Sequence, residues 1–300
     1  MLQLIIVTLI WAFSFSLIGE FLAGNVDSYF SAWSRMALAL VVFSPWLFKS
    51  KEALAYRAKV AVIGAIQLGV MYLFYFKSFE YLAVPEVLLF TIFTPIYVAL
   101  FAEALERRFN AHHLFWAMVS VIGAYVIRQH DVSSDALIGF FIVQGANLCF
   151  AAGQVAYRHL NQGRAKLIEP TRFADFFVGA FVISTIAWLL FGSLPSRVSP
   201  LNIAILIWLG VVASGIGYFL WNAGGSKVST GTLAAMNNAL IPAGLVVNLI
   251  FWNKPIDLIT TSVGGAIIIF AVVMDQRQSN KQLQDCHKQN HCHSRGNHIE

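Results

Sequence analysis

The sequence predicts an all-α integral membrane protein of ten transmembrane helices, arranged as two inverted-topology five-helix repeats. Three observations carry that prediction. The 300-residue chain is 58% hydrophobic and only 12% charged, about half the charged share of a soluble domain. Its apolar residues fall into ten runs of roughly the 20 residues needed to cross ~30 Å of hydrocarbon. The runs also resemble one another at a nearly constant spacing along the chain.

The first run, 2–20, lacks the basic start and small-residue cleavage site of a signal peptide and keeps Trp11, Ser14 and Ser16 at its centre, so it reads as a retained span. The second, 28–48, carries Arg35 about two turns in. The third, 59–78, sets Gln67, Met71, Tyr75 and Ser78 on one side with Tyr72 nearby. In the fourth, 83–104, Pro85 and Glu86 have the form of a helix start, with a Glu in the first turn meeting the positive end of the dipole. Glu86 at the rim is also a candidate coupling residue. Thr91, Thr94 and Pro95 follow, then Glu103 and Glu106, which read as anchors at the far end. The fifth run is 112–129.

The sixth, 136–157, holds the sharpest polar signal. Gln144, Asn147, Ala151, Gln154 and Arg158 are spaced three and four apart, which puts them on one helical face. The runs 173–192, 201–222, 228–251 and 256–274 complete the set. The eighth contributes Ser214, Tyr218, Trp221 and Asn222, and the ninth Asn237, Asn238 and Asn248 around Pro242. None of the runs alternates apolar with polar, as barrel strands do.

The repeat is read from matched segments. "MYLFYFKSF" at 71–79 matches "GYFLWNAGG" at 217–225, Pro95 matches Pro242, and "SVIGAYVI" at 120–127 matches "SVGGAIII" at 262–269. Two halves follow, 1–128 and 136–274, with a polar tail at 275–300. Five is odd, so the second half must cross with opposite polarity. That arrangement is typical of secondary transporters, whose solute sits near the midplane between the halves. Lys and Arg set the orientation. With the N-terminus in the cytoplasm, fifteen cations fall in or beside inner loops and four beside outer ones, and Arg35 completes the twenty. Both termini are therefore expected in the cytoplasm of a bacterial inner membrane or its equivalent. This bias also accounts for the net charge of +5 without invoking nucleic acid.

Several stretches resemble a known family. "TLIWAFSFSLIGEFL" at 8–22, "SAWSRMALAL" at 31–40 and "TPIYVALFAEALERRFNAHHLFWAMVSVIGAYVI" from 94 onward are similar to the first, second and fourth-to-fifth spans of the EamA type of the drug/metabolite transporter superfamily. The resemblance covers about 270 residues. It departs at Ala12, where Gly commonly follows the Trp, and at Phe150, where the second half would carry its own Trp. It implies proton-coupled, facilitative or exchange transport of a small solute, and marks Arg35 as the family's second-span Arg, read here as a structural anchor.

The candidate solute-binding residues are Trp11, Ser14, Tyr72, Tyr75, Asn147, Gln154, Tyr218, Asn237 and Asn238, with Pro95 and Pro242 as paired hinges. Amide, hydroxyl and aromatic groups suit an amphipathic solute. Export of amino acids or related metabolites is the leading reading. Export of drugs or cationic amines, and a non-transporting scaffold or lipid-binding protein, are the alternatives. No ATP-binding loop or catalytic constellation is visible, so neither an enzyme activity nor a cofactor is expected. Uphill transport would require coupling to protons, a counter-substrate or a partner chain. The tail "DCHKQNHCHSRGNH" lacks the spacing of a structural zinc site and is expected to be disordered with weak, adventitious metal affinity; metal transport is the sharper alternative, and it would require ligands within the spans, where Cys149 stands almost alone. A cytoplasmic tail argues against a disulfide through Cys286 or Cys292. Oligomeric state is not encoded in any of these features.

Overall fold

The computed structural model describes residues 1–82, 84–106, 111–126, 136–162, 169–193, 198–253 and 257–296, with side chains at 84, 85, 89, 106 and beyond 281 outside that description. The described residues are overwhelmingly helical and contain no strand. Ten helices account for the ten runs: α1 Leu2–Leu22, α2 Ser28–Leu47, α3 Leu54–Ser78, α4 84–106, α5 Ala111–Val126, α6 Ala136–Leu160, α7 Pro170–Phe191, α8 Pro200–Gly225, α9 Thr230–Trp252 and α10 Leu258–Gly296. Nine of these are long and apolar enough to span a bilayer, and α5 is a shorter apolar helix in its described part. The helices begin where the chain supplies caps: Asp27 accepts from the Phe30 N–H, Ser199 from Asn202 and Ser229 from Thr232. Pro170 and Pro200 stand at first-turn positions, where a missing N–H costs nothing.

Packing repeats with the roles of the halves exchanged. α3 lies against α7 as α2 lies against α8; α3 lies on α6 as α1 lies on α8; and α4 meets α6 as α1 meets α9. α2 with α7 and α5 with α10 are each their own counterpart. Close approach depends on small residues, because lipid supplies no hydrophobic drive between helices. A Cβ on Gly64 would collide with the Phe176 carbonyl of α7, and one on Gly179 with the Ala61 carbonyl of α3. In the other half Gly210, 146 positions after Gly64, lies against α2, where a Cβ would crowd the Leu38 side chain.

Two features depart from sequence expectation. α10 continues as helix to Gly296, where disorder from 275 is expected. Hydropathy does not register a helix built of Gln, Lys, Arg and Asp, which are compatible with helix when neither Pro nor Gly interrupts them. The helices are also less regular than runs of apolar residues imply. Ile18–Leu22, Ala65–Val70 and Leu209–Ile216 are π-helical, and Thr91–Phe93 is a 3₁₀ turn.

The contact of α3 with α7 makes a direct stability test. Gly64→Ala should destabilise the folded protein by roughly 1–3 kcal/mol through overpacking against backbone, whereas Gly265→Ala, whose Cβ would meet Pro242 at an ordinary 3.6 Å, should be near neutral. Thermal unfolding in detergent reads both; equal midpoints for the two variants would contradict the packing described.

Candidate functional site

The π-helical stretches of α3 and α8 end directly before Met71 and Gly217, the starts of the two matched segments. The wider turn shifts the helical phase and leaves carbonyls turned away from their usual partners. One of them, Ala213 O, accepts a 2.9 Å bond from Trp11 Nε1. Between these elements lies a narrow cavity with a free volume of about 80 Å³. Its walls come from α1, α2, α3, α4, α6, α8 and α9.

Symmetry-related residues face each other here. Trp11 and Phe150 occupy equivalent positions of α1 and α6, and their rings meet edge to face at 5.7 Å. Tyr72 and Tyr218, 146 apart, meet at 6.1 Å and 86°. Equivalent residues can touch only near the axis that relates them, so the axis of the repeat runs through the cavity. Trp11 also lies 4.9 Å from the rings of both Tyr218 and Trp221.

Arg35 is the one charged residue among those that line the cavity, and it is 2% exposed. Its Nε donates to Ser214 Oγ at 3.0 Å, an Nη2 proton goes to the Tyr72 hydroxyl, and the guanidinium carbon lies 4.4 Å above the Tyr72 ring. Tyr72 and Ser214 bond each other at 3.1 Å. Nη1 is buried with no protein acceptor, as are the hydroxyls of Ser14 and Tyr75. A buried cation held by hydroxyls and a π face, and by no carboxylate, retains its full charge toward the cavity. That matches an anchor linking α2, α3 and α8, and it adds a site that attracts an anion.

The polar face of α6 divides by depth. Asn147 lines the cavity, yet its Nδ2 donates to Phe90 O at 2.9 Å and to Gln144 Oε1 at 3.1 Å. Gln144 Nε2 donates to the same Phe90 carbonyl at 3.1 Å, and Tyr97 donates its hydroxyl to Gln144 Oε1. Two turns lower, Gln154 accepts from Trp221 Nε1 at 2.9 Å and its Nε2 approaches Asn237 Oδ1 at 3.5 Å. Lower still, Arg158 donates to the Thr230 hydroxyl at the start of α9.

The prolines explain why α4 needs those amides. Pro95 has no N–H for Thr91 O and Pro242 none for Asn238 O, and in each case the helix breaks where the bond is missing: at Thr91–Phe93 and at Ala239. Carbonyls near the first break are recovered by side chains: Phe90 O by Gln144 and Asn147, Ile92 O by Asn238 Nδ2 at 3.3 Å.

Seven of the nine candidate binding residues line the cavity: Trp11, Ser14, Tyr72, Tyr75, Asn147, Tyr218 and Asn237. Two do not. Gln154 lies seven residues beyond Asn147, about 10 Å along the axis, and serves Trp221 and Asn237 instead. Asn238 is turned about 100° from Asn237 and bonds Ile92 O and Ser120. Glu86 is half-buried in the first turn of α4 and is not among the lining residues. Glu103 is half-buried, while Glu106's side chain and Arg107 lie outside the described residues. Thr8, Phe15, Thr91, Thr94 and Phe150 line the cavity without having been candidates; for the threonines, hydroxyls at i and i+3 beside Pro95 were the available signal.

Comparison with known proteins gives a consistent set. A profile of the EamA-like transporter family matches residues 1–129. A probable biotin transporter of Pseudomonas aeruginosa is 46% identical over 90% of this chain and 95% of its own length. Biotin transporters of Escherichia coli K12 and Salmonella typhimurium are 43% and 44% identical, covering 93% and 90% of this chain and the same shares of theirs. One crystal structure of a protein superposes with a TM-score of 0.72 over 91% of this chain and 96% of its own at 16% identity, a likeness of fold.

The shared Phe90 carbonyl gives a non-additive prediction. Gln144→Leu alone leaves Asn147 as donor and should cost little, while the double variant with Asn147→Leu orphans the carbonyl and should cost roughly 1–3 kcal/mol more. Unfolding midpoints in detergent check this, and strictly additive losses would refute the shared-acceptor geometry.

Proposed function

The chain belongs to the EamA-like transporter family, and from that premise we propose that it carries biotin, or a monocarboxylate closely similar to it, across the membrane by alternating access. The observation that carries the reading is Arg35: a cavity-lining cation with a buried, unengaged Nη1 and no acidic residue among the lining side chains. Biotin presents a carboxylate at the end of a flexible apolar chain and a bicyclic ureido head at the other. The carboxylate pairs with Arg35. The apolar body fits against Trp11, Phe150, Tyr218 and Trp221, and the ureido group, with two N–H donors and one carbonyl, is suited to Asn147, Asn237, Ser14 and the threonines of α1 and α4.

This reading replaces the amino-acid cargo. An amino acid or cationic amine carries an ammonium group, which beside Arg35 would meet repulsion and no carboxylate. Movement follows from the paired helix breaks. Pro95 and Pro242 free each half of α4 and α9 to tilt separately, and two inverted halves that exchange conformations expose the same cavity to one side and then the other. The gradient of the cargo sets the direction, so export is not part of the proposal. The cation bias of the loops supports cytoplasmic termini, and the bacterial relatives support a cytoplasmic-membrane location.

Labelled biotin should enter proteoliposomes saturably, and unlabelled biotin should compete where its methyl ester does not. Arg35→Gln should lower binding by about 10–100-fold, the worth of one charged hydrogen bond. Equal competition by the neutral ester would overturn the carboxylate assignment. Joint Pro95→Ala and Pro242→Ala substitution should slow flux with affinity nearly intact; an unchanged rate would exclude the hinges.

A further inference from the structure

At the end of the bundle where α1 begins, away from the cavity, α5, α9 and α10 meet around one carboxylate. Asp275 is fully buried. Its Oδ1 lies 2.9 Å from His113 Nδ1 and 3.2 Å from His112 Nε2. Its Oδ2 accepts from Ser229 and, at 3.1 Å, from Thr232. Transport as derived above uses none of these groups.

We propose that His112, His113 and Asp275 form a binding site for a divalent transition-metal ion of zinc-like preference. Two imidazoles and a carboxylate are a donor set such ions favour, leaving one position for water or the Ser229 hydroxyl. Ligand bonds of about 2.0–2.2 Å place neighbouring ligand atoms roughly 3–3.5 Å apart. The two His–Asp separations meet that spacing already, and all three donor atoms lie within 4.8 Å of one another.

In the tautomer that leaves the Nδ1 lone pair free, His113 presents it toward Asp275 Oδ1 at 2.9 Å, the arrangement a bridging cation would use. Ser229 and Thr232 hold the carboxylate from behind, as outer hydrogen bonds orient metal ligands elsewhere. The site is reachable from water, with His112 and His113 side chains 8% and 17% exposed. An ion there would tie the start of α5 to α10 and, through Ser229 and Thr232, to the first turn of α9, the helix that brings Asn237 to the cavity.

The test is Co²⁺ and Zn²⁺ titration of the full-length protein in detergent, compared with His112→Gln, His113→Gln and Asp275→Asn. Wild type should bind one equivalent more than each variant, with the visible absorption of tetrahedral Co²⁺ bound through nitrogen and oxygen. The same stoichiometry in all four proteins, or a spectrum due only to thiolates of Cys286 and Cys292, would overturn the site. Should the variants fail to fold, diethyl pyrocarbonate labelling of wild type decides: Zn²⁺ should protect His112 and His113 but not exposed His159, and equal labelling with and without Zn²⁺ would overturn it. Biotin flux is read in neither arm, so the two proposals stand or fall separately.

Discussion

Inside a bilayer a backbone carbonyl or amide with no partner costs several kcal/mol, because lipid offers none. This constraint organises the protein around its cavity. Two helices are broken at prolines, three others contain π turns, and at the break in α4 and the π turn in α8 polar side chains make up the loss. Gln144, Asn147 and Asn238 serve carbonyls of the broken α4, and Trp11 serves a carbonyl of the π turn in α8. A polar stripe in a membrane helix is usually read as the wall of a solute path. Here much of it repairs backbone, and the repair is what allows irregular helices to line the cavity.

Much of the architecture was legible in the sequence because hydrophobic length reports on the bilayer and matched segments report on the repeated packing of the helices. The spans agree with the helices to within a few residues at most ends. The proline pair predicted where α4 and α9 break, since a missing N–H has a local consequence. The π turns were not legible: hydropathy is the same for either winding, and the close approaches beside them, Gly64 on α7 and Gly210 on α2, join helices that no single run brings together. Helical periodicity put Gln154 on the same face as Asn147 but carries no depth, so it could not show that Gln154 lies below the cavity floor. Asn237 and Asn238 are neighbours in sequence, but only one of them can face inward. The polar continuation of α10 was invisible for a different reason, because hydropathy measures burial in lipid and not helix formation.

Arg35 shows the limit most clearly. Its residue type and position are compatible with an anchor and with a ligand, and what separates the roles is one nitrogen. Nε and Nη2 are spent on Ser214 and Tyr72, while Nη1 is not. An anchor alone would gain from satisfying all three. A buried donor left open, on the one charged residue lining the cavity, fits a partner that arrives and leaves.

The scaffold is symmetric but the chemistry is not, and this matters for how a solute could drive the cycle. Trp11 faces Phe150 and Tyr72 faces Tyr218 across the axis, so the two halves present similar surfaces to the cavity. Arg35 supplies the bias. Its bonds join α2 and α3 of the first half to α8 of the second, so it ties the halves together at the cavity. A ligand shifts a conformational equilibrium only by the difference in its interaction with the two states. A carboxylate on Nη1 competes for the same guanidinium charge that Ser214 and Tyr72 share, and so alters the tie between halves as it binds. A neutral or cationic solute of the same shape fills the cavity without touching that tie. Under the proposed function the charge on the cargo would do two things at one residue: select the solute, and couple occupancy to the motion of the halves.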